Sequence, residues 1–574
     1  MDTPKKNEAL IKDKEVWLYF SDPHELILAT SLEEVPKALH EIERKVEEYG
    51  WHAAGFLSYE AASALDPALA THRTPEFPYL WFGLFSQPET IQLPKPDNIK
   101  VSLDWQSTVR PDAYNTAIRK IRGYISQGRT YQVNYTMRLH TGFDMSAWEF
   151  FLQLAQDQNQ HGAYLDTGRY VICSASPELF FELDRETITS RPMKGTARRG
   201  RTTQEDKLKA EWLRNSEKNQ AENVMIVDMV RNDMGKIAKI GSVHVPELFN
   251  VERYPTLWQM TSTVTAQTGA SLSGIFSALF PCASITGAPK VSTMRIIHEL
   301  EPVPRRIYTG TIGYLTPGRK AKFNVAIRTA LIDRLKQKAE YGIGGGIVWD
   351  STSADEYAEA LLKARVLSAS SSQFSILETI LWTSDEGYFL KDRHIERLLD
   401  SAYYFDFLIS KKDLEEHLNR ISASFDRPQR VRLTLDRKGR IEITSASISF
   451  EEKLLHVALA DKPVQSTDVF LFHKTTRRDV YDTARNNHPD FDDILLYNEH
   501  NELTEFSIGN LVVELDGELL TPPINCGLLP GTFRAHLVET GKVTERIVPL
   551  HRLKECTRIF RVNSVRKWET VHIQ

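Results

Sequence analysis

Apolar positions recur at helical spacing in some stretches of this chain and cluster or alternate in others. Val35, Leu39, Ile42 and Val46 share one face behind Ser31-Leu-Glu-Glu34, a capping-box pattern with Pro36 in the first turn and Gly50 as the stop. A second helix is predicted over 112–127, with Tyr114, Ile118, Ile121 and Ile125 on one face and Gly128 closing it. Residues 164–174 and 179–183 read as strands, 205–232 as one long helix, and further strands are expected around Thr311 and Ala326. The first fifty residues are expected to serve in packing. The periodic signal stops in the serine-rich run 368–375, which has the composition of a flexible connector and places a domain boundary near Ser371. Beyond it, 392–405 predicts an amphipathic helix with Ile395, Leu398, Leu399 and Ala402 inward, and 430–436 with 440–444 predicts a hairpin. The apolar run 469–472 reads as a short strand delivering Lys474. Residues 493–497 and 511–515 read as further strands, and 527–534 opens a helix. Strands and helices mixed in this order indicate α/β and α+β layers, in two domains, 1–370 and 371–574.

Length agrees: 574 residues exceed one ordinary core. Hydrophobic residues at 41% and charged residues at 26% are those of a globular protein. A net charge of −5, with no basic stripe, argues against a nucleic-acid partner. Residues 1–15 are charged, without an apolar signal core, and no run approaches a membrane span. Four scattered cysteines, Cys173, Cys282, Cys526 and Cys556, contain no CxxC and suit a reducing compartment. A cytoplasmic protein without a membrane partner is expected.

Candidate chemistry begins at Ser190-Arg-Pro-Met-Lys-Gly-Thr196, behind a predicted strand with Glu178 at its entrance. Glycine after Lys194 allows close backbone approach, and a lysine amine becomes nucleophilic once burial or neighbours lower its pKa. Taken alone, the stretch reads more readily as a surface turn. Glu356, Glu359 and Lys363 fall at i, i+3 and i+7 on one helical face, where spacing alone favours a solvated ion-pair face. Glu222 lies on another predicted helix. The run Gly342-Ile-Gly-Gly-Gly346 fails the GxGxxG spacing, which removes a dinucleotide site.

From about Trp51 to Leu367 a series of motifs appears in a fixed order. They are Tyr131-Gln-Val-Asn134, Ser176-Pro-Glu178, Pro192-Met-Lys-Gly-Thr196, Ala221-Glu-Asn-Val-Met-Ile-Val-Asp228 and Arg231-Asn-Asp233. Thr286-Gly-Ala-Pro-Lys290, Phe323-Asn-Val-Ala-Ile-Arg328, Gly344-Gly-Gly346 and Glu356-Tyr-Ala-Glu359 follow. This region resembles the chorismate-utilising enzymes, the family of anthranilate synthase component I and aminodeoxychorismate synthase component I. Lys194 matches the latter, where anthranilate synthases typically carry alanine. The resemblance implies a two-sheet sandwich flanked by helices. It implies that Glu222 and Glu359 hold Mg²⁺, with Glu356 assisting through water, and that the metal takes the ring carboxylate of chorismate. Arg328, Lys363 and the amides of Gly344, Gly345 and Gly346 would bind the other end of the dianion, with Tyr308 orienting the enolpyruvyl carboxylate. Glu178 would protonate the leaving C4 hydroxyl while Lys194 attacks ring carbon 2; ammonia then adds at carbon 4 and expels the lysine. One position departs from the pattern: Gln259 stands where many relatives have a histidine linked with pyruvate elimination.

From about Leu377 to Trp568 the chain resembles the class IV pyridoxal-phosphate enzymes, especially aminodeoxychorismate lyase, a two-subdomain fold like D-amino acid aminotransferase. Asp392-Arg-His-Ile-Glu-Arg397, His473-Lys-Thr-Thr476, Thr504-Glu-Phe-Ser-Ile-Gly-Asn510 and the stretch 527–534 carry the likeness. It implies Lys474 as the lysine that binds pyridoxal phosphate and Glu505 beside the pyridinium nitrogen. Arg397 and the amides of Thr532 and Phe533 would hold the phosphate, with Ser564 lining that end. Lys474 by itself reads as a surface lysine; four stretches in order reverse that.

Together the two resemblances imply conversion of chorismate and ammonia to 4-amino-4-deoxychorismate, then loss of pyruvate to give 4-aminobenzoate for folate. No cysteine sits in a glutaminase-type elbow, so ammonia is expected from a separate glutamine amidotransferase partner. The class IV likeness leaves open a homodimer through the C-terminal domain. An anthranilate synthase large subunit fused to an amino-acid transaminase is the nearest alternative. A degenerate subunit that binds without turnover is another.

Overall fold

The computed structural model describes residues 3–94, 103–155, 160–367, 374–450 and 453–574. The chain is mixed α/β and divides into two compact units. One comprises Met1–Arg198 with Ala210–Ser371, the other Arg199–Lys209 with Ser372–Gln574. Most of the serine-rich run, 368–373, lies outside the described residues.

The first unit is built on two ten-stranded sheets. One edge of the first sheet is the short strand Gly287–Ala288, followed inward by Gln132–Gly142, Lys338–Ile347 and Thr329–Asp333. The second sheet runs from Met193–Arg198 through Leu257–Gln267, Thr187–Arg191 and Leu179–Asp184 to Lys320–Val325 and beyond. The first fifty residues supply strands to both: Ala9–Asp13 and Val16–Phe20 to the first, Glu25–Ala29 to the second. Helix Val35–Tyr49 then buries Val35, Leu39, Ile42 and Val46. Its entrance is fixed by the Thr30 and Ser31 N–H groups, which donate to Glu34 at 2.7 and 3.1 Å, and its end by Gly50 at φ +68°.

Three predicted elements differ from the structure. The run 164–174 is two strands, Ala163–Asp166 and Tyr170–Ser174, because Gly168 turns at φ +91° and donates to Asp166 Oδ1. The long helix over 205–232 is two helices, Thr203–Asn215 and Glu217–Gly235, because Ser216 adopts an extended conformation and caps the second one. The strand expected around Ala326 stops at Val325, and residues 326–328 carry the chain from the second sheet to the first, with Arg328 at φ +50°.

Behind the sheets Arg305 acts as a buried tie. Its Nη2 donates to Glu301 Oε1 at 2.6 Å and to the Asn134 carbonyl at 2.8 Å, its Nε to Glu301 Oε2 at 2.9 Å, and its Nη1 to the Ile285 carbonyl at 3.0 Å. One guanidinium thereby joins the Gln132–Gly142 strand to the loop that leads into Gly287–Ala288.

In the second unit a four-stranded sheet is ordered Gly387–Tyr388, Ile376–Thr383, Gln429–Leu435, Ile441–Ser447, and an eight-stranded sheet carries Leu503–Phe506. The predicted hairpin and the helix Lys391–Phe405 are both present. The run 469–472 is no strand: Asp468 accepts the Phe470 N–H at 3.0 Å and winds Val469–Leu471 into a 3-10 turn. Lys474 follows in extended chain tied by its carbonyl to the Leu377 N–H at 2.9 Å.

Arg305→Ala leaves the buried Glu301 carboxylate with only Thr136 at 2.9 Å and Arg138 at 4.0 Å, and the unit is expected to lose about 3–5 kcal/mol. Urea unfolding of the purified chain checks this, and a loss below about 1 kcal/mol contradicts the role given to Arg305.

Candidate active sites

Lys194 lies on Met193–Arg198, the edge strand of the second sheet. Burial lowers its pKa; Lys363 pushes the same way, while Glu222, Glu178 and Glu359 oppose. Glu178, just ahead of Leu179–Asp184, is 3% exposed. Burial pushes its carboxyl up to about 7, against a hydrogen bond from Ser284, the Met193 N–H and the charge of Lys194. A lysine whose pKa is lowered and a carboxyl whose pKa is raised therefore stand together, both shifted first by burial.

The glycine strand makes room for them. A β-carbon on Gly346 would lie 2.4 Å from Lys194 Nζ and 1.9 Å from Gln132 Nε2. One on Gly345 would lie 3.2 Å from Glu356 Oε2 and 3.7 Å from Lys363 Nζ. Lys363 Nζ also donates to the Gly344 carbonyl at 3.0 Å. Charged side chains approach bare backbone along Gly344, Gly345 and Gly346, which sit in the strand Lys338–Ile347.

Glu356, Glu359 and Lys363 share helix Ser353–Lys363. Lys363 pairs with Glu359 at 3.0 Å, and Ser351 Oγ donates to Glu356 Oε1 at 2.6 Å. Lys363 holds the Glu359 carboxyl low, whereas burial raises that of Glu356. Glu222 comes from helix Glu217–Gly235. Among the described residues no three His, Cys, Asp or Glu side chains are gathered as a ready metal cluster, so Glu222, Glu356 and Glu359 do not form a closed trio. The donor set still suits Mg²⁺, which takes one or two carboxylates and completes its shell with water and substrate oxygens. Glu222 and Glu359 are two such carboxylates, and both act on Lys194.

Arg328 is half-buried; burial lowers its pKa, and Tyr341 and Tyr254 lie within its electrostatic reach. Tyr254 in turn lies within electrostatic reach of Glu178. Tyr308 is buried against the same glycine-rich strand. Arg138 lies over its ring at 5.0 Å, and Gly342 passes so close that a β-carbon there would be 2.1 Å from the ring. Burial pushes its hydroxyl up to about 12.

Three residues of this neighbourhood were not singled out in the sequence. Gln132 is 1% exposed, and both its amide atoms lack a hydrogen-bond partner among the described residues. Ser284 bonds to Glu178, and Asn223 Nδ2 donates to the Lys194 carbonyl at 3.3 Å. Gln132 and Asn223 lie inside quoted motifs, but neither residue type announces chemistry. Only the facing strands show what they touch.

In the second unit Lys474 is held down to about 8 by burial and by Arg397 and Arg478, with Glu378 and Glu505 opposing. Glu505, 3% exposed, is pushed up to about 7 by burial although it accepts from Tyr481 Oη at 2.7 Å, the Leu529 N–H at 3.0 Å and Asn510 Nδ2 at 3.1 Å. Arg397 donates through Nε and Nη2 to Glu378 at 2.8 and 2.7 Å and through Nη1 to the Pro530 carbonyl. Thr532 and Phe533 open helix Thr532–Glu539. The preceding Gly531 is required, since a β-carbon there would lie 1.8 Å from Asn510 Oδ1. Ser564 Oγ donates to the Thr379 carbonyl at 3.4 Å. An amine near neutrality, a buried carboxylate, an arginine and a helix N-terminus form the donor set that pyridoxal phosphate requires, so these residues fit that cofactor.

Residues 2–369 match the family of chorismate binding enzymes, and residues 375–572 match amino-transferase class IV. The chain is 41% identical over 278 residues to aminodeoxychorismate synthase component 1 of Escherichia coli, covering 48% of this chain and 61% of that protein. It is 38% identical to the protein of that name from Salmonella typhimurium, covering 52% and 64%. It therefore spans about three fifths of the length of these relatives. Anthranilate synthase component I of Streptococcus pneumoniae shares the fold at a TM-score of 0.52 and 22% identity, over 64% of this chain and 94% of that one. With its motifs, its two sheets and the greater part of its length in agreement, the chain belongs to the chorismate binding enzyme family.

Proposed function

We propose that the first unit aminates chorismate at carbon 4 and that the second removes pyruvate from the product to give 4-aminobenzoate. The observation that carries this reading is the pairing of Lys194, its pKa lowered by burial, with Glu178, raised to about 7. Amination at carbon 4 needs such a pair: a neutral amine to attack and an acid to release hydroxide as water. The aminodeoxychorismate synthase relatives support the choice of reaction.

In this mechanism Lys194 Nζ attacks ring carbon 2, the two ring double bonds shift, and the C4–O bond breaks as Glu178 delivers its proton. Ammonia then attacks carbon 4, the double bonds shift back, and the C2–N bond to Lys194 breaks. Chorismate and ammonia become 4-amino-4-deoxychorismate and water. Arg328, Lys363 and the Gly344–346 amides bind the enolpyruvyl end of the substrate, with Tyr308 orienting its carboxylate. Mg²⁺, held by Glu222 and Glu359 with Glu356 assisting through water, would neutralise the ring carboxylate. The ammonia comes from a separate glutamine amidotransferase.

In the second unit Arg397, the Thr532 and Phe533 amides and Ser564 would hold the phosphate of pyridoxal phosphate, and Glu505 would keep the ring nitrogen protonated. When bound to Lys474, that cofactor supplies an electron sink. The Lys474 amine, free once the substrate's own amine has taken its place and lowered by burial to about 8, then serves as the base that takes the carbon 4 proton. Breakage of the C3–O bond expels enolpyruvate, which takes up a proton to become pyruvate, and the ring becomes aromatic.

The direct test supplies chorismate, ammonia, Mg²⁺ and pyridoxal phosphate and identifies the aromatic product; anthranilate as the main product contradicts the reading. Lys194→Ala is expected to lose the 4-amino product and to form slowly the 2-amino isomer, resolved by NMR. Undiminished 4-amino product means that this lysine is not the nucleophile. Because Glu178 acts in its protonated form, activity should persist below its pKa and fall as pH rises through about 7. Glu178→Gln should remove that limb of the kcat/KM profile and lower kcat by about 100-fold or more. Lys474→Ala should stop 4-aminobenzoate formation and abolish cofactor absorbance while 4-amino-4-deoxychorismate accumulates. Loss of chorismate consumption in folded Lys474→Ala protein contradicts separate sites.

A further inference from the structure

Pairing between Met193–Arg198 and Leu257–Gln267 skips a residue beside the nucleophile. Met193 faces Thr261 and Thr196 faces Gln259, so three steps on one strand oppose two on the other. The bulge is Lys194-Gly195, with Gly195 at φ +94°, where a β-carbon would also come within 3.0 Å of Asn219 Oδ1. A bulge takes carbonyls out of the strand ladder, and a buried carbonyl needs another donor. Gln259 is 7% exposed and donates through Nε2 to the Gly195 carbonyl at 2.8 Å. At the preceding peptide unit Asn223 Nδ2 donates to the Lys194 carbonyl at 3.3 Å, while Asn223 Oδ1 accepts from Ser262 Oγ at 2.6 Å.

We propose that Gln259 is a positioning residue for Lys194: its amide fixes the Gly195 carbonyl, and with it the direction in which the bulge presents the lysine amine. This rests on the reading of Lys194 as the nucleophile. It gives the glutamine a task of its own at a position where the chain departs from histidine. A primary amide holds this carbonyl at any pH, because it carries donors that do not titrate. The amide is needed for aim rather than for substrate binding, so its loss acts on kcat and not on KM. A lysine aimed away from carbon 2 also leaves that carbon open to ammonia.

Gln259→Met fills the same space without a donor, and Gln259→Glu keeps the shape but presents a carboxylate to the carbonyl. With chorismate and ammonia, both should lower kcat by about 100-fold, as a misplacement near 1 Å does, with KM for chorismate within about threefold. The 2-amino isomer should appear beside the 4-amino product. A second readout does not depend on turnover: mass-spectrometric labelling rates of Lys194 by an amine reagent, referred to surface lysines of the same chain. Both variants should change the Lys194 rate at least threefold while the thermal midpoint stays near that of the parent. Unchanged labelling and kcat within twofold in Gln259→Met overturn the proposal. Should the parent chain form no 4-amino product, the reading of the reaction fails, and the labelling comparison alone still decides the role of Gln259.

Discussion

A lysine amine taken out of water must find compensating charge or give up its proton, and the first unit is arranged around that choice. Burial is the leading effect on Lys194, and Lys363 adds to it, while three glutamates pull the other way. The balance falls on the side of a lowered pKa, but not by removing every counter-charge. A fully isolated ammonium would cost far more than the fold could supply, and a fully paired one would never become nucleophilic. The same logic raises Glu178: Ser284, Met193 and Lys194 all favour its anion, and burial still outweighs them. One desolvated pocket therefore draws the pKa values of an acid and an amine toward each other.

Such a pocket needs walls that exclude water without occupying the space of the substrate. Glycines provide them. The Lys338–Ile347 strand pairs with Gln132–Gly142 along its whole length, but its pairing with Thr329–Asp333 ends at Tyr341. The glycine stretch beyond Tyr341 is thus anchored on one side and open on the other, and Lys194, Lys363 and Glu356 crowd its bare α-carbons. The register of this strand is secured from behind by Arg305, which holds the Asn134 carbonyl opposite Gly346.

Much of the fold was legible because helices and hairpins write themselves locally. Helix Val35–Tyr49 with its Glu34 cap and Gly50 stop, and the hairpin on Asp436–Arg440, follow from residues within a few positions of one another. Errors arose where one polar side chain decides. Asp468 turns an apolar run into a 3-10 turn, and Ser216 cuts a helix in two. The site divides the same way. Lys194, Glu178 and Lys474 stand out as residue types, whereas Gln132, Asn223 and Gln259 are neutral amides whose importance lies in which strand faces them. Periodicity contains no information about a facing strand, so the bulge at Gly195 was beyond it.

The second unit solves the same amine problem with different neighbours. Lys474 is also lowered first by burial, but here two arginines add to the effect and Glu378 is the nearest opposition. Glu378 cannot rescue the ammonium because it is already committed: it accepts from Arg397 twice and from His394 at 2.7 Å, and the Arg397 charge with these hydrogen bonds holds it at about 2 against its burial. Glu505 is likewise occupied by Tyr481, Leu529 and Asn510. Each lysine keeps carboxylates within electrostatic reach, yet Glu359 pairs with Lys363, Glu178 accepts from Met193 and Ser284, and Glu378 and Glu505 accept from their own donors. The amine is left steered by field rather than locked by contact. This suits the covalent role proposed for each lysine, since a closed salt bridge would have to be broken first.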